Sequence, residues 1–369
     1  MRSILILGGY GNFGKRIAQA LVKAGASIIV AGRNKSKADA MRRQLDSRLV
    51  SVATFDAFTE LGAELKKSRP SVVINTCGPF QTSDYGIAQC CIEHGVHYID
   101  LADARAFVTD IGSLDDKARQ QGVAVISGAS TVPALSSAVL EHFRHEFSVI
   151  HEMKFGISPG QKAERGLATT EGILGYVGRP IQPYQGQKNK AYGWQDIYRQ
   201  KYPVIGSRWM ANCEIPDLDL LPQRYDLKSI RFGAGLELSV LHLGLWGLSW
   251  LVRAGFPLSL SRFAKPLLTV SNWFDPFGSA DGGMHVIITG EKHDGSAHAR
   301  KWFIVAFEGF GPHIPTIPAI ILAKRIVQNS EELTGAMPCV GLISLEDYLA
   351  ELRGFPIETY VASHNIDAN

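Results

Sequence analysis

The chain has 369 residues, 46% hydrophobic and 20% charged, with a net charge of +3. That composition excludes intrinsic disorder and supplies core material for two domains. Its basic residues are scattered in pairs such as Arg42-Arg43 and Lys66-Lys67, which excludes a nucleic-acid stripe and a polybasic membrane patch.

Residues 3–7 are apolar, too short a run for the core of a signal peptide, and read as a first strand. A glycine loop follows, in which Gly9, Gly11 and Gly14 form GxGxxG around Asn12 and Phe13; residues 15–24 then carry helical periodicity. The first glycine permits a tight turn, the second lets a pyrophosphate approach the backbone, and the third lets the helix pack on the strand. Backbone N–H groups and the helix dipole then face the phosphates.

A second strand at residues 27–31 ends in Gly32-Arg33-Asn34-Lys35. An NAD site usually holds the ribose 2′-hydroxyl with a carboxylate there, and none is present. Arg33 offers a planar fork to a 2′-phosphate, Lys35 adds charge, and Asn34 either joins them or caps the next helix. The expected cofactor is NADP. The plainer alternative is that Arg33 only ends the strand at the surface.

The alternation continues through strand 49–54, helix 57–67 and strand 71–75, which ends in Thr76-Cys77-Gly78-Pro79-Phe80. Helix 84–93, strand 96–99, helix 111–121 and strand 123–126 follow. Six strands with crossover helices make an α/β fold, a Rossmann-type doubly wound parallel sheet with its ligand beyond the carboxyl ends of the strands. Asp56 then falls at the adenine end. Thr76, Cys77, Gly78 and Pro79 fall beside the nicotinamide ribose.

Residues 75–103, NTCGPFQTSDYGIAQCCIEHGVHYIDLAD, after the glycine loop and the AGR strand end, resemble the saccharopine dehydrogenase-like oxidoreductases. GASTVPALSSAVL and GAMPCVGLISLEDYLAEL extend the resemblance over most of the chain. It implies an NADP-dependent oxidoreductase in which a C-terminal helix returns to the nucleotide domain. Where saccharopine reductases carry a Pro-Gly helix start, this chain has Ser130-Thr131-Val132-Pro133. Where some relatives carry Asp-Leu-Thr-Gly-Glu, it has Asp100-Leu101-Ala102-Asp103.

After a helix at 132–143, VIHEMKFGIS alternates as a strand, and GGMHVIITGEKHDGSAHARKWFIVAF reads as a hairpin turning at Asp294-Gly295. A largely antiparallel sheet is expected. Residues 165–235 form an insert rich in Gly, Tyr and Arg on which a substrate chamber would draw. Thr316 can cap a helix at 317–328, and Ser344 with Asp347 can open the last helix. The expected domains are 1–147, NADP-binding; 148–312, α+β for substrate and dimerisation; and 313–369, C-terminal helices returning to the first domain.

Residues 238–252, LSVLHLGLWGLSWLV, are nearly all apolar but fall short of the about 20 residues a spanning helix needs. With Trp246, Trp250, Phe256, Trp273 and Phe274 they suit an interfacial anchor or an apolar substrate mouth. A buried helix or a dimer contact is favoured over lipid.

Five cysteines without CxxC spacing fit reduced thiols in a cytoplasmic protein. The pairs His142/His145 and His293/His298 lack a ligand set, so no metal is expected. Tyr184 and Lys188 match YxxxK, but Pro183 and Gly186 oppose the helix that motif needs. No GxSxG elbow surrounds Ser127 or Ser130, which argues against hydrolase chemistry.

Hydride transfer to a carbonyl or imine calls for an acid/base near the strand ends. Candidates are Tyr85, His97, Asp100 and Asp103, with Cys77 as a further donor; His97 can equally pack in the fifth strand, and Asp100 orient a loop. Arg165, Arg179 and Arg208 are candidate carboxylate binders. The reading is an NADP-dependent oxidoreductase acting on a C–N or C=O centre of a small-molecule substrate, as a cytoplasmic homodimer. Its alternatives are a reductase of an apolar or lipid-like substrate, and a non-catalytic NADP sensor or scaffold.

Overall fold

Ser3–Leu7 is buried from Ile4 onward and forms β1, the inner strand of a parallel sheet. The computed structural model describes residues 2–256, 259–329 and 332–364. α1 (Asn12–Lys23), β2 (Ser27–Gly32), α2 (Lys35–Leu45), β3 (Val50–Thr54), α3 (Leu61–Ser68), β4 (Val72–Asn75) and α4 (Gly86–Glu93) follow. β5 (His97–Asp100), α5 (Arg105–Thr109), α6 (Asp115–Gln120) and β6 (Ala124–Ser127) complete the first run. The second begins with α7 (Ser136–Arg144), β7 (Val149–Ser158), α8 (Leu167–Tyr176), β8 (Tyr198–Tyr202), β9 (Gly206–Asn212) and α9 (Asp217–Tyr225). β10 (Ser229–Ala234), α10 (Ser239–Arg253), α11 (Ala264–Asn272), β11 (Gly282–Glu291) and β12 (Ala297–Ala306) extend it. α12 (Ile317–Gln328), β13 (Gly335–Pro338), α13 (Leu345–Glu351) and β14 (Ile357–His364) end the described chain.

Two units result, Met1–Leu135 with His313–Ile343, and Ser136–Pro312 with Ser344–Asn369. The sheet of the first runs β13-β6-β5-β4-β1-β2-β3, all parallel, the doubly wound order. α12 is buried without a break from Ile317 to Ala323 and packs against α1, β1, β4 and β5.

Several local expectations change. β13, from Gly-Ala-Met-Pro, adds a seventh strand; its propensity is poor, and pairing with β6 decides its state. Helix 111–121 is broken, because residues 110–114 tighten into a 3₁₀ turn before α6. Helix 132–143 starts only at Ser136, since Val132 precedes Pro133 and is held extended at φ −117°, ψ 124°. Thr316 does not cap α12; its hydroxyl donates to the His313 carbonyl at 2.6 Å.

The second unit has the sheet order β14-β12-β11-β7-β10-β9-β8, antiparallel except for β7 with β10. Met153 and Phe155 of β7 pair in register with Ile230 and Phe232 of β10 and with Ile288 and Val286 of β11, which builds one buried face. The insert at 165–235 supplies three of these strands. Assigning all of 313–369 to the first domain is corrected: α13 packs on α7 and β14 pairs with β12, both in the second unit. α7 belongs there too, so the boundary falls at 135/136 and not at 147/148. α10 is not a buried helix, since Val240, Leu243, Trp250 and Leu251 on it are exposed.

Candidate functional site

The glycine loop after β1 and the loops after β2, β3, β4 and β5 leave the carboxyl ends of strands in the parallel sheet. Gly8, directly after β1, takes φ +72°, a left-handed conformation that side chains resist. A Cβ there would lie 2.6 Å from Thr76 Oγ1, so Gly8 makes the turn and receives the β4 loop. Gly14 is closed in more tightly. A Cβ on it would stand 2.2 Å from the Gly8 carbonyl oxygen and 2.8 Å from Gly9 Cα. Gly11 stands at the N-cap of α1 with no side chain to cap it, and its N–H donates to the Gly8 carbonyl at 2.7 Å. The result is a bare backbone cradle at a helix start, the form that accepts a pyrophosphate. Asn12 and Phe13 occupy the first turn of α1, where Arg16 Nη1 donates to the Asn12 carbonyl at 2.5 Å.

Gly32 ends β2, and Arg33, Asn34 and Lys35 are exposed beyond it. Asn34 Oδ1 caps α2 by accepting from the Lys37 N–H at 3.0 Å, while the Asn34 N–H donates to the Tyr10 hydroxyl at 2.9 Å. Tyr10 thereby joins the glycine loop to the end of β2. Arg33 makes no hydrogen bond or ion pair among the described residues, and its charge reaches Cys77. Asp56, past β3, accepts from the Phe58 N–H at 2.9 Å in an Asx turn, which delays α3 to Leu61.

After β4, the Thr76 hydroxyl donates to the Leu7 carbonyl at 2.8 Å, and Asn75 Oδ1 accepts from the Cys77 N–H at 3.0 Å. Burial pushes the Cys77 thiol up to about 11, with Arg33 opposing, so it stays a protonated donor at neutral pH. The Gly78-Pro79 peptide is cis and leads into a short turn carrying Gln81.

The four acid/base candidates separate. His97 stands at the amino end of β5, the wrong edge of a parallel sheet, and its Nδ1 accepts from the Ala124 N–H at 2.9 Å. Burial and then Arg2 lower its pKa. Tyr85 donates its hydroxyl proton to the Phe107 carbonyl at 2.7 Å, and burial raises its pKa to about 12. Asp100 is wholly buried. Its Oδ1 accepts from the Gly128 N–H at 2.8 Å, the Ser127 hydroxyl at 2.9 Å and the Ala102 N–H at 3.0 Å, so it ties the β5 loop to the β6 loop. Burial raises its pKa to about 6 against those donors. Asp103 is the partly exposed carboxylate among them; burial raises its pKa, and Gln81 Nε2 donates to it at 3.1 Å. Gly8 is missed by the GxGxxG reading, although the Gly8-Gly9 doublet is a signal for it; Gln81 and Ser127 carry no sequence signal.

In the second unit two of the three arginines are already engaged. Arg208 pairs with Glu237 at 3.1 Å, both nearly buried, and Glu237 also accepts from the Gln161 N–H at 2.6 Å and the Ser279 hydroxyl at 2.8 Å. Arg165 pairs with Asp275 at 2.7 Å. Arg179 is exposed. Tyr184 and Lys188 line a cavity of about 370 Å³ from an irregular loop, without the helical turn that would set one beside the other. His142 meets Glu346 at 2.8 Å and His298 meets Glu146 at 2.8 Å, while His293 Nε2 lies 3.4 Å from the His145 carbonyl. Among the described residues no three His, Cys, Asp or Glu converge as a metal site.

The family described as saccharopine dehydrogenase NADP binding domain matches residues 4–126, and NADP is the cofactor of that domain. A protein of Mycobacterium tuberculosis assigned by name as a trans-acting enoyl reductase is 29% identical over 151 residues, 39% of this chain and 36% of its own length. An uncharacterized oxidoreductase of Bacillus subtilis, YvaG, is 32% identical over 91 residues, 23% of this chain and 34% of its own length. The chain thus matches about a third of the length of these curated relatives. The apo, histidine-tagged saccharopine dehydrogenase (L-Glu forming) of Saccharomyces cerevisiae shares the fold: TM-score 0.65 over 98% of this chain and 100% of that one, at 12% identity.

Proposed function

We propose that the chain, whose residues 4–126 match the saccharopine dehydrogenase NADP binding domain, is an NADP-dependent oxidoreductase. It moves hydride to or from a C–N or C=O centre of a small metabolite. The observation that carries the cofactor choice is Arg33, exposed at the end of β2 with no carboxylate on residues 32–37. A carboxylate would repel a 2′-phosphate, and Arg33 with Lys35 attracts it.

Gly8, Gly9, Gly11 and Gly14 hold the pyrophosphate, and Thr76 to Pro79 border the nicotinamide ribose. The bound dinucleotide supplies or accepts the hydride. Asp103 handles the proton, its raised pKa bringing it nearer to neutrality, and Gln81 fixes the carboxyl. Asp100 is a positioning residue that holds the loop from which Asp103 projects.

A second reading, an apolar or lipid-like substrate, is favoured by one observation. Two of the three expected carboxylate binders, Arg165 and Arg208, are neutralised by Asp275 and Glu237, which leaves only the exposed Arg179 among the three.

Calorimetric titration of NADPH against NADH tests the cofactor. NADPH should bind more tightly, and Arg33→Ala should weaken it about 10- to 100-fold, the worth of charge-assisted hydrogen bonds, leaving NADH unchanged. Equal affinities in the native chain would refute the assignment. Loss of NADPH absorbance with imine, keto-acid and enoyl compounds then separates the two substrate readings.

A further inference from the structure

α10 has its polarity reversed for a helix on a protein surface. Its two fully buried side chains, His242 and Ser249, are polar and seven residues apart, hence on one face. His242 Nδ1 accepts from the Leu236 N–H at 3.3 Å; the Ser249 hydroxyl donates to the Trp246 carbonyl at 2.6 Å and accepts from Gln195 Nε2 at 3.3 Å. The polar face is therefore bonded into the unit. Outward stand Val240, Leu243, Trp250 and Leu251, with Val240 60% and Trp250 46% exposed.

The next elements repeat the pattern. Phe263, Val270, Trp273 and Phe277 are exposed, Trp273 at 70% and Phe277 at 77%. Behind them Leu174, Leu260 and Ala264 form one buried cluster with partly buried Leu245, Trp246 and Leu248, so α8, α10 and α11 share a core. The outward apolar side chains contribute nothing to that core. Scattered exposed hydrophobics are ordinary on a monomer, but this many on one helical cap mark a surface that something covers.

Charge identifies what covers it. Between Glu237 and Asp275 the sequence holds no Asp or Glu, and within that stretch Arg253, Arg262 and Lys265 are all exposed. Arg253 lies 4.9 Å from the Trp250 ring centroid, which sets a cation against an exposed aromatic. We propose that the α10–α11 cap rests on the surface of an anionic lipid leaflet. Trp250, Phe263, Trp273 and Phe277 enter the headgroup boundary, and the exposed cations meet lipid phosphates and carboxylates. Among the described residues no helix is long and apolar enough to cross a membrane, so the contact is interfacial. A second copy of the chain fits worse, because a two-fold contact would press Arg253, Arg262 and Lys265 against a like-charged surface, while Asp275, between Trp273 and Phe277, is already paired with Arg165.

The test is co-sedimentation of the full chain with vesicles of phosphatidylcholine alone and of phosphatidylcholine with phosphatidylserine. Binding should require the anionic lipid and fall with added salt. The double variant Trp273→Ser/Phe277→Ser should lose about tenfold or more per aromatic. The double variant Arg262→Glu/Lys265→Glu should lose at least about fivefold per cation. Those four side chains are exposed, so thermal unfolding and NADPH titration should match the parent, and the charge variant stands alone as a test if the aromatic one folds poorly. Equal binding to both vesicles, or binding to neither, overturns the proposal. So does a dimer in ultracentrifugation that Trp273→Ser/Phe277→Ser dissociates.

Discussion

At the scale of single residues, the cofactor site depends on what glycines leave out. Gly14 is the strictest case, because all three atoms that a Cβ would strike belong to the backbone of Gly8 and Gly9 and cannot rotate away. Gly14→Ala should therefore cost about 1–3 kcal/mol, the usual range for overpacking, and abolish NADPH binding by opening the cradle. Gly112→Ala is the control: nothing lies within 4 Å of its Cβ position, and its stability should stay within about 0.5 kcal/mol of the parent. Urea unfolding of both variants decides the point. The glycine spacing, the exposed Arg33 and the Cys77 after β4 were legible in the sequence because each lies close to its own strand end. The fates of Tyr85 and His97 could not. One depends on the Phe107 carbonyl and the other on the Ala124 N–H, partners more than 20 residues away.

At the scale of elements, buried acids hold helix and strand ends in place. Asp217, in the first turn of α9, is wholly buried, accepts a hydrogen bond from the Ser136 hydroxyl of α7, and has its pKa raised by burial to about 7. Its folded pKa lies above its unfolded value, so the folded state binds the extra proton. The stabilisation is complete below about pH 4 and is lost as pH rises through about 7. Asp100 acts in the same direction between about pH 4 and 6. Other acids shift oppositely, so the clean measurement is the unfolding free energy of the parent minus that of Asp217→Asn. That difference should fall by several kcal/mol from pH 4 to pH 8 and level off above; a flat difference would show that Asp217 does not titrate there. The periodicity of α1 was legible from the sequence, and α12 was legible from the apolar run and Pro318 at its start though not from a Thr316 cap. β13 and the late start of α7 were not, since a neighbouring strand and a proline set them.

At the scale of the whole molecule, each unit is assembled from two separated stretches of chain, with crossings at 135/136, 312/313 and 343/344. NADPH should therefore protect a pattern that is discontinuous in sequence but confined to one unit. Hydrogen exchange with and without NADPH should slow at residues 8–14, 33–35 and 76–80. It should leave β9 and β10 unchanged, and protection in those strands instead would move the nucleotide site. The parallel α/β architecture, the glycine loop and the Arg33 signal for NADP were legible in the chain, because strand, turn and helix signals and one local charge lie within a few residues of each other. Folding set the rest: Asp100 is a buried clamp, Arg165 and Arg208 are already paired, and α10 turns apolar side chains outward. Burial and ion pairing depend on residues distant in sequence, and periodicity identifies the apolar face of a helix without saying what lies against it.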